Sequence, residues 1–514
     1  MNATARAAAL DYLPRWLAHQ MCVSEQTGCA VAVVHQGRCV FEAAFGHADL
    51  ARGEALTPRH RFRVASHSKS FTAAGILKLR EQGRLQLDDA VGRHVPGLHP
   101  QVAGATLAQL LSHSAGLVRD GADAGQWADR RPFLNEAELR ADLAAGAVID
   151  ANTRFKYSNH GYALLGLTIQ AVTNERYVDW IAREVVAAAG LMETLPDMPP
   201  VAAPASKRSA RAAAANADTD GADYVTKHVT TNAAAAPLLA AGHSAKWPLG
   251  RRVVIPGRNP THVLASATGF ISTAADLARF YAQLSPNSSS NTNPNAKSRL
   301  LSVASRREMA RRQWRDPHSS QERWYGLGTI SATLAAAAGA PAWEVFGHSG
   351  GFQGSITRTA VVPAQQLAVS VLTNASDGLS HTWLDGCLHI LRAFDAHGGP
   401  SRRTAPWAGR WWSLWGAFDL LPMGGDKVLL ANPALANPLL DATELSVHAA
   451  PRSAAATGVL TGRIALAGGY GNHGEPVRLV RDEHGVATEF WLGGSCFRPE
   501  AQVVRELRRK YDRR

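Results

Sequence analysis

RVASHSKSFTAAGILKL, residues 63–79, is the stretch on which the fold assignment turns. It has the pattern of a helix start: Ser66 or Ser68 as a cap, then Phe71, Ala74, Ile76, Leu77 and Leu79 for burial. Lys69 breaks that pattern. It falls in the first turn, where unpaired N–H groups and the helix dipole disfavour a cation. Residues three apart share a helix face, so Lys69 leans back toward the Ser66 hydroxyl. Serine is a weak nucleophile until a base takes its proton, and an ordinary lysine is protonated at neutral pH. The first turn and burial both push the amine toward its neutral form, so the unfavourable position is what would fit Lys69 to the task. The same helix start can offer the Ser66 backbone N–H to a developing oxyanion. S-x-x-K is a short motif, and a capped helix with an exposed lysine reads the same way. Lysine is rare in this chain, however, and Ser66/Lys69 is its one S-x-x-K match.

Two further stretches share that chemistry. FKYSNHGYALLG (155–166) carries Tyr157, Ser158 and Asn159 just before an apolar, buried-type helix over 162–173. A phenol beside Lys69 could share its proton and pass it to a leaving group, and the Asn159 amide could hold the lysine and a substrate carbonyl. Y-x-N recurs at Tyr470–Asn472, which fits a C-terminal β-region better. EVFGHSGGFQGSITRT (344–359) places His348, Ser349, Gly350 and Gly351 at a β-strand edge. Glycines there would let a substrate backbone approach, the Gly351 N–H would be a second oxyanion donor, and His348 would face the site as a polar group.

In this order, S-x-x-K, Y-x-N and H-x-G resemble the serine β-lactamase and penicillin-binding-protein superfamily, most closely its class C β-lactamase-like serine hydrolases. LLSHSAGL (110–117) and ATGFISTAADLARF (267–280) resemble further segments of that family, and the resemblance spans about residues 20–395. It implies an α+β fold, an antiparallel sheet flanked by helices plus an all-helical region. It also implies Ser66 as the acylated nucleophile, Lys69 as base or proton relay, Tyr157 as its acid/base partner and Asn159 as orienter. His348 and Gly350 would replace the family's K-T-G strand, with Gly351 beside them. Many true β-lactamases of the group have lysine where His348 stands, and a histidine is neutral for part of the time at pH 7. That leans toward esterases, D-aminopeptidases or D-amino-acid amidases and other peptidases, with a true β-lactamase or D-Ala-D-Ala carboxypeptidase as the alternative.

Two rivals come from other classes. Gly347–Gly351 also satisfies G-x-S-x-G, which would make Ser349 the nucleophile of an α/β-hydrolase with Asp377 or Asp385 and His389. The β-patterned segment after Ser349 is the wrong context for that strand–turn–helix elbow. A β-lactamase-like fold kept as a binding module is the other, though a binder has no need of Lys69 in that place.

The rest of the chain bounds these readings. Its 514 residues, 46% hydrophobic and 19% charged, suit a globular protein with a large core. The net charge of +12 is nearly all scattered arginine, without a nucleic-acid-binding signature, so no nucleic-acid partner is expected. Five cysteines without C-x-x-C spacing point to a reducing compartment. Residues 1–28 read as an amphipathic helix, not a signal peptide, and no run approaches the roughly 18 apolar residues of a membrane span, so a cytoplasmic protein is expected. There is no H-E-x-x-H, no paired cysteine ligands and no phosphate-cradling loop, so neither metal nor cofactor is expected. The partner is a small-molecule or short-peptide substrate, and a homo-oligomer is compatible with the sequence.

The organisation reads as a hydrolase domain over 1–397 and a second domain over 405–500. A hairpin is expected in 29–46, a capping box at Thr106/Gln109, an Ala-rich surface insertion over 200–262 and a polar loop over 285–298. β-Segments follow at 324–330, 354–363 and 366–374, then a helix over 379–395. Residues 405–500 are turn-rich and β-patterned, and their Gly409-Arg410-Trp411 opening resembles the lipocalin-like barrel that follows some of these hydrolases. That barrel would cover the cleft or, in the reading we favour, serve stability or assembly.

Overall fold

The computed structural model describes residues 1–199, 238–247, 250–287, 300–317, 319, 322–336, 340–449, 458–468 and 471–511. Tyr470, most of the Ala-rich stretch and residues 288–298 of the polar loop lie outside the described residues.

The expected N-terminal hairpin forms from β1 (Gly28–His35) and β2 (Arg38–Asp49). Gln36 and Gly37, both with positive φ (51° and 77°), make the two-residue turn between them, the backbone that best matches strand twist. Further strands are β3 (Glu54–Ala55), β4 (Trp314–Arg315), β5 (Arg323–Tyr325), β6 (Ile330–Leu334), β7 (Trp343–Phe352), β8 (Ser355–Val362) and β9 (Leu367–Thr373). Together they form one nine-stranded antiparallel sheet in the order β3-β2-β1-β9-β8-β7-β6-β5-β4. The first hairpin is therefore joined to the last strand of the sheet, through Cys29 opposite Thr373 to His35 opposite Leu367.

β1 is buried along its whole length because both faces of the sheet are covered. Alternate side chains serve two cores, as the two-residue period of a strand dictates. Ala30, Ala32 and Val34 pack with Phe71, Leu277 and Phe280. Phe71 belongs to α2 (His67–Glu81), whereas α3 (Asn159–Thr173) adds Leu164 and Leu165 to the same core. Leu277 and Phe280 belong to α4 (Ala274–Leu284), which Thr273 caps by accepting from the Asp276 N–H. On the other face Cys29, Val31 and Val33 pack with Trp16 and Trp383 from α1 (Ala3–Ser24) and α5 (Ser380–His397). The expected capping box forms at Thr106 and Gln109.

Beyond α5 lie β10 (Gly409–Ser413), β11 (Gly416–Pro422), β12 (Lys427–Ala431), β13 (Thr443–Val447), β14 (Gly458–Leu466), β15 (Pro476–Arg481), β16 (Ala487–Leu492) and β17 (Ser495–Phe497). They pair consecutively, and a bridge between Trp412 and Arg498 brings the ends together as a nearly closed eight-stranded barrel. Inward residues such as Trp411, Leu420, Val428 and Leu479 fill it. Outward neighbours on β11 and β12 (Leu421, Leu429 and Ala431) instead join the core under α1 and α5. The Tyr12 phenol donates to Asp419 at 2.8 Å, and the Arg410 guanidinium holds the other oxygen of that carboxylate at 2.7 Å. Among the described residues no helix is long and apolar enough to cross a membrane.

Two expectations are corrected. Residues 324–330 are not one strand: Gly326 to Thr329 form a turn between β5 and β6, closed by the Gly326 N–H on the Thr329 carbonyl at 2.8 Å. The end of the 200–262 stretch is not all surface. His243 is buried, with Nδ1 2.8 Å from the Asn374 carbonyl and Nε2 accepting from the Leu50 N–H. His348 follows the end of the β6 pairing at Gly347, so from His348 to Phe352 the strand pairs with β8 alone and its other edge is open, as expected.

Candidate active site

Ala65, with φ of 49°, turns the chain sharply into α2 and presents Ser66 at its N-cap. A cap serine ordinarily spends its hydroxyl on the helix N–H groups. Ser66 makes no such bond, and Ser68 secures the turn instead by donating to the Ala65 carbonyl at 2.6 Å and accepting from the Phe270 N–H at 3.0 Å. The Ser66 hydroxyl is thereby left for two other side chains. Lys69 Nζ lies 3.1 Å from Ser66 Oγ, and the Tyr157 phenol donates to the same oxygen at 2.8 Å.

Lys69 is fully buried. Its amine also reaches Asn159 Oδ1 at 2.7 Å and the Ala267 carbonyl at 2.8 Å, and stands 4.7 Å from the centre of the Tyr157 ring. A neutral amine has two N–H donors and one lone pair. The site offers two carbonyl-type acceptors and one hydroxyl, so the neutral form leaves no position unfilled. Burial holds the amine well below the usual lysine range; Asp120 opposes that shift and Arg119 adds to it. Burial pushes the Tyr157 phenol up, so it keeps its proton and donates. The arrangement can thus take a proton from Ser66 toward Lys69 and hold another on Tyr157.

Asn159 is the first residue of α3, which Ser158 caps by accepting from the Gly161 N–H at 2.9 Å. The segment around Tyr157 is clamped by His113, from the 110–117 stretch. Its carbonyl accepts from the Lys156 N–H at 2.7 Å and its Nδ1 from the Ser158 N–H at 3.1 Å. The His113 ring centre is 4.1 Å from that of Tyr157.

The third stretch lies across the cleft on β7. His348 is buried, with Nε2 3.0 Å from the Tyr325 hydroxyl. Desolvation pushes it down to about 3, against which the Ser349 backbone works only in part. The part-time charge expected of it is therefore corrected: it is neutral at physiological pH. Gly350 also has a different reason from the one expected. A Cβ there would come 2.1 Å from the Val64 carbonyl, so its missing side chain admits the chain entering α2. Gly351 is exposed and shares a cleft of about 340 Å³ with Ser66, Tyr157, Phe155, Trp324 and Tyr325.

The sequence did not mark Asp120, Tyr325, Phe155 or the Ala267 carbonyl. The Ala267 contact is a backbone group, which no residue pattern signals. Asp120 follows the 110–117 motif by three positions but has no distinguishing context of its own. The Ser349 elbow is not formed: Ser349 sits mid-strand opposite Arg358, Asp385 pairs with Arg358, and Asp377 pairs with Arg252. Among the described residues no group of three or more His, Cys, Asp or Glu could hold a metal.

A mixed helix-and-sheet scaffold that brings serine, buried lysine and tyrosine onto one oxygen defines a class, the β-lactamase-like serine hydrolases. The chain belongs to the beta-lactamase family, whose model matches residues 15–382. It is 32% identical over 158 residues to Protein flp of Staphylococcus aureus, a match covering 30% of this chain and 32% of that protein. It is 31% identical over 167 residues to penicillin-binding protein 4* of Bacillus subtilis, covering 32% of this chain and 37% of that one. The matched region spans about a third of the length of these relatives. In fold it is similar to an octameric penicillin-binding protein homologue from Pyrococcus abyssi (TM-score 0.57, 20% identity, 95% of this chain and 99% of that one). It is also similar to a D-amino acid amidase from Ochrobactrum anthropi (TM-score 0.55, 20% identity, 76% of this chain and 98% of that one).

Proposed function

We propose that the protein hydrolyses an ester or amide through an acyl-enzyme on Ser66. The observation that carries this reading is the Ser66 oxygen, 3.1 Å from a buried amine and 2.8 Å from a phenol that donates to it. Lys69, neutral in its buried setting, accepts the Ser66 proton as Oγ attacks the substrate carbonyl. The Ser66 and Gly351 N–H groups receive the oxyanion. The Tyr157 phenol protonates the departing alcohol or amine, and Lys69 passes a proton back along the chain of hydrogen bonds. Water then attacks the acyl-enzyme by the reverse path. Asn159 orients Lys69 and the substrate carbonyl.

The substrate is a small molecule or short peptide of the esterase, D-aminopeptidase, D-amino-acid amidase or peptidase type. Neutral His348 supplies no fixed cation, and Phe155, Trp324 and Tyr325 favour an apolar or aromatic group. Arg119 and Arg323 reach the cleft, but each is paired, with Asp120 and Asp316. The exposed Arg119 guanidinium favours the alternative, a β-lactamase or D-Ala-D-Ala carboxypeptidase gripping a substrate carboxylate. None of the five cysteines is bonded, which supports a cytoplasmic setting.

Fluorophosphonate labelling with peptide mapping tests the nucleophile: label is expected on Ser66 and lost in Ser66→Ala, and label on Ser349 refutes the reading. A panel of p-nitrophenyl esters, D-amino-acid anilides and nitrocefin separates the substrate classes, and no turnover by any of them from folded protein favours a binding module.

A further inference from the structure

Asn159 faces Lys69 with one end of its amide and Asp120 with the other. Its Oδ1 accepts from Lys69 at 2.7 Å, and its Nδ2 donates to Asp120 Oδ1 at 2.6 Å. An amide can be turned end for end at little local cost, and only its surroundings decide which end points where. Lys69 does not decide it. A neutral amine can donate to the Asn159 oxygen or accept from the Asn159 nitrogen. An ionised carboxylate only accepts, so it can face nothing but the NH₂ end.

We infer that Asp120 is a positioning residue for the proposed reaction: by holding the Asn159 NH₂ it keeps the amide oxygen on Lys69, and so keeps the Lys69 lone pair on Ser66. Were the amide turned over, its NH₂ would compete with the Ser66 hydroxyl for that lone pair. The carboxylate is itself held firmly. Asp120 Oδ1 also accepts from the Trp127 indole at 3.0 Å, and Oδ2 accepts from Arg119 Nε at 3.0 Å. The Trp127 ring packs edge-on against Phe133 and Phe352, the last residue of β7. Asp120 thereby ties the Lys69 side of the cleft to the strand that carries Gly351.

The inference rests on the reading of Lys69 as base, and two substitutions separate its parts. Asp120→Asn keeps an acceptor for Asn159 but removes the negative charge near the amine. The charged and titratable groups facing Lys69 are Asp120, Arg119, Tyr157, Tyr162, His113 and His348. Of the charges named as acting on the amine, Asp120 favours the ammonium and Arg119 opposes it. The acid limb of the kcat/KM–pH profile should therefore move to lower pH by about one unit in Asp120→Asn. Asp120→Leu removes charge and acceptor together and frees the amide to turn. It should show the same displacement and, in addition, a plateau lower by about ten- to a hundredfold. A purely structural contribution would lower activity or thermal midpoint without moving the acid limb. Folded Asp120→Leu protein that keeps the plateau of Asp120→Asn overturns the inference, because the amide then holds its orientation without the acceptor. Loss of fluorophosphonate labelling in Ser66→Ala alongside that result leaves the proposed function standing. Full turnover in both Ser66→Ala and Lys69→Ala sinks the two together.

Discussion

Replacing His348 with glutamine should remove a pH-dependent weakness of the fold, and the size of that effect follows from burial. In the folded chain the ring is pushed from an ordinary 6.5 down to about 3, chiefly by desolvation. The unfolded chain therefore takes up a proton that the folded chain refuses as the pH falls through that interval, and stability is lost on acidification. Between about pH 7 and about pH 4 the linkage comes to about 3 kcal/mol for this one ring. Urea unfolding of wild type and His348→Gln, stepped across that range, measures it as a double difference. His67, whose ring centre is 6.0 Å away, and His113 are depressed by burial too. Both are present in each protein, so their contributions largely cancel. The wild type should lose about 3 kcal/mol more than the variant. A double difference that stays flat, or a His348 ring titrating near 6 by nitrogen NMR, would refute the argument. It would also put a cation beside the cleft and revive the carboxylate-binding alternative.

Other outcomes follow from the same geometry. Lys69→Ala should slow acylation by about 10²–10⁴-fold, and in the wild type kcat/KM should fall on acidification as the depressed amine takes up its proton; stopped-flow acylation reads both. Gly350→Ala places a methyl 2.1 Å from the Val64 carbonyl, so it should cost about 1–3 kcal/mol in chemical denaturation and lower turnover by moving β7 away from Ser66. Tyr12→Phe removes one donor to the buried Asp419 carboxylate while Arg410 remains; a loss of about 1 kcal/mol and faster proteolysis after residue 397 are expected, with kcat unchanged.

The groups around Ser66 were legible because each sits in a local pattern: a cap, a turn before an apolar helix, a glycine-rich strand. What made Lys69 unusual, a cation in a first turn, is a local fact, and its neutral state follows from burial that the flanking apolar residues announce. His348 shows the limit. Its residue type fixes an ordinary value near neutrality, and only three-dimensional enclosure moves it. The Ala267 carbonyl and Asp120 were hidden for a related reason, since each reaches the site across a long sequence separation, the first as a backbone group within a motif and the second just outside one. Residues 324–330 misled because aromatic and β-branched letters outweighed Gly326 and Gly328, whose turn splits the run in two. The barrel was visible as alternation, but its outward apolar residues on β11 and β12 could not be told from inward ones until the helices they rest on were in place.

The pairing of β1 with β9 has a consequence for how the molecule comes into being. The first hairpin finds its lasting neighbour more than 330 positions later, so the sheet stays open until nearly three-quarters of the polypeptide has been synthesised. Such remote partnerships slow folding and leave a half-made chain prone to aggregation. Ser66 and Gly351 stand on opposite sides of that delay, and a nascent chain on the ribosome would lack the competent cleft until β7 emerged and docked.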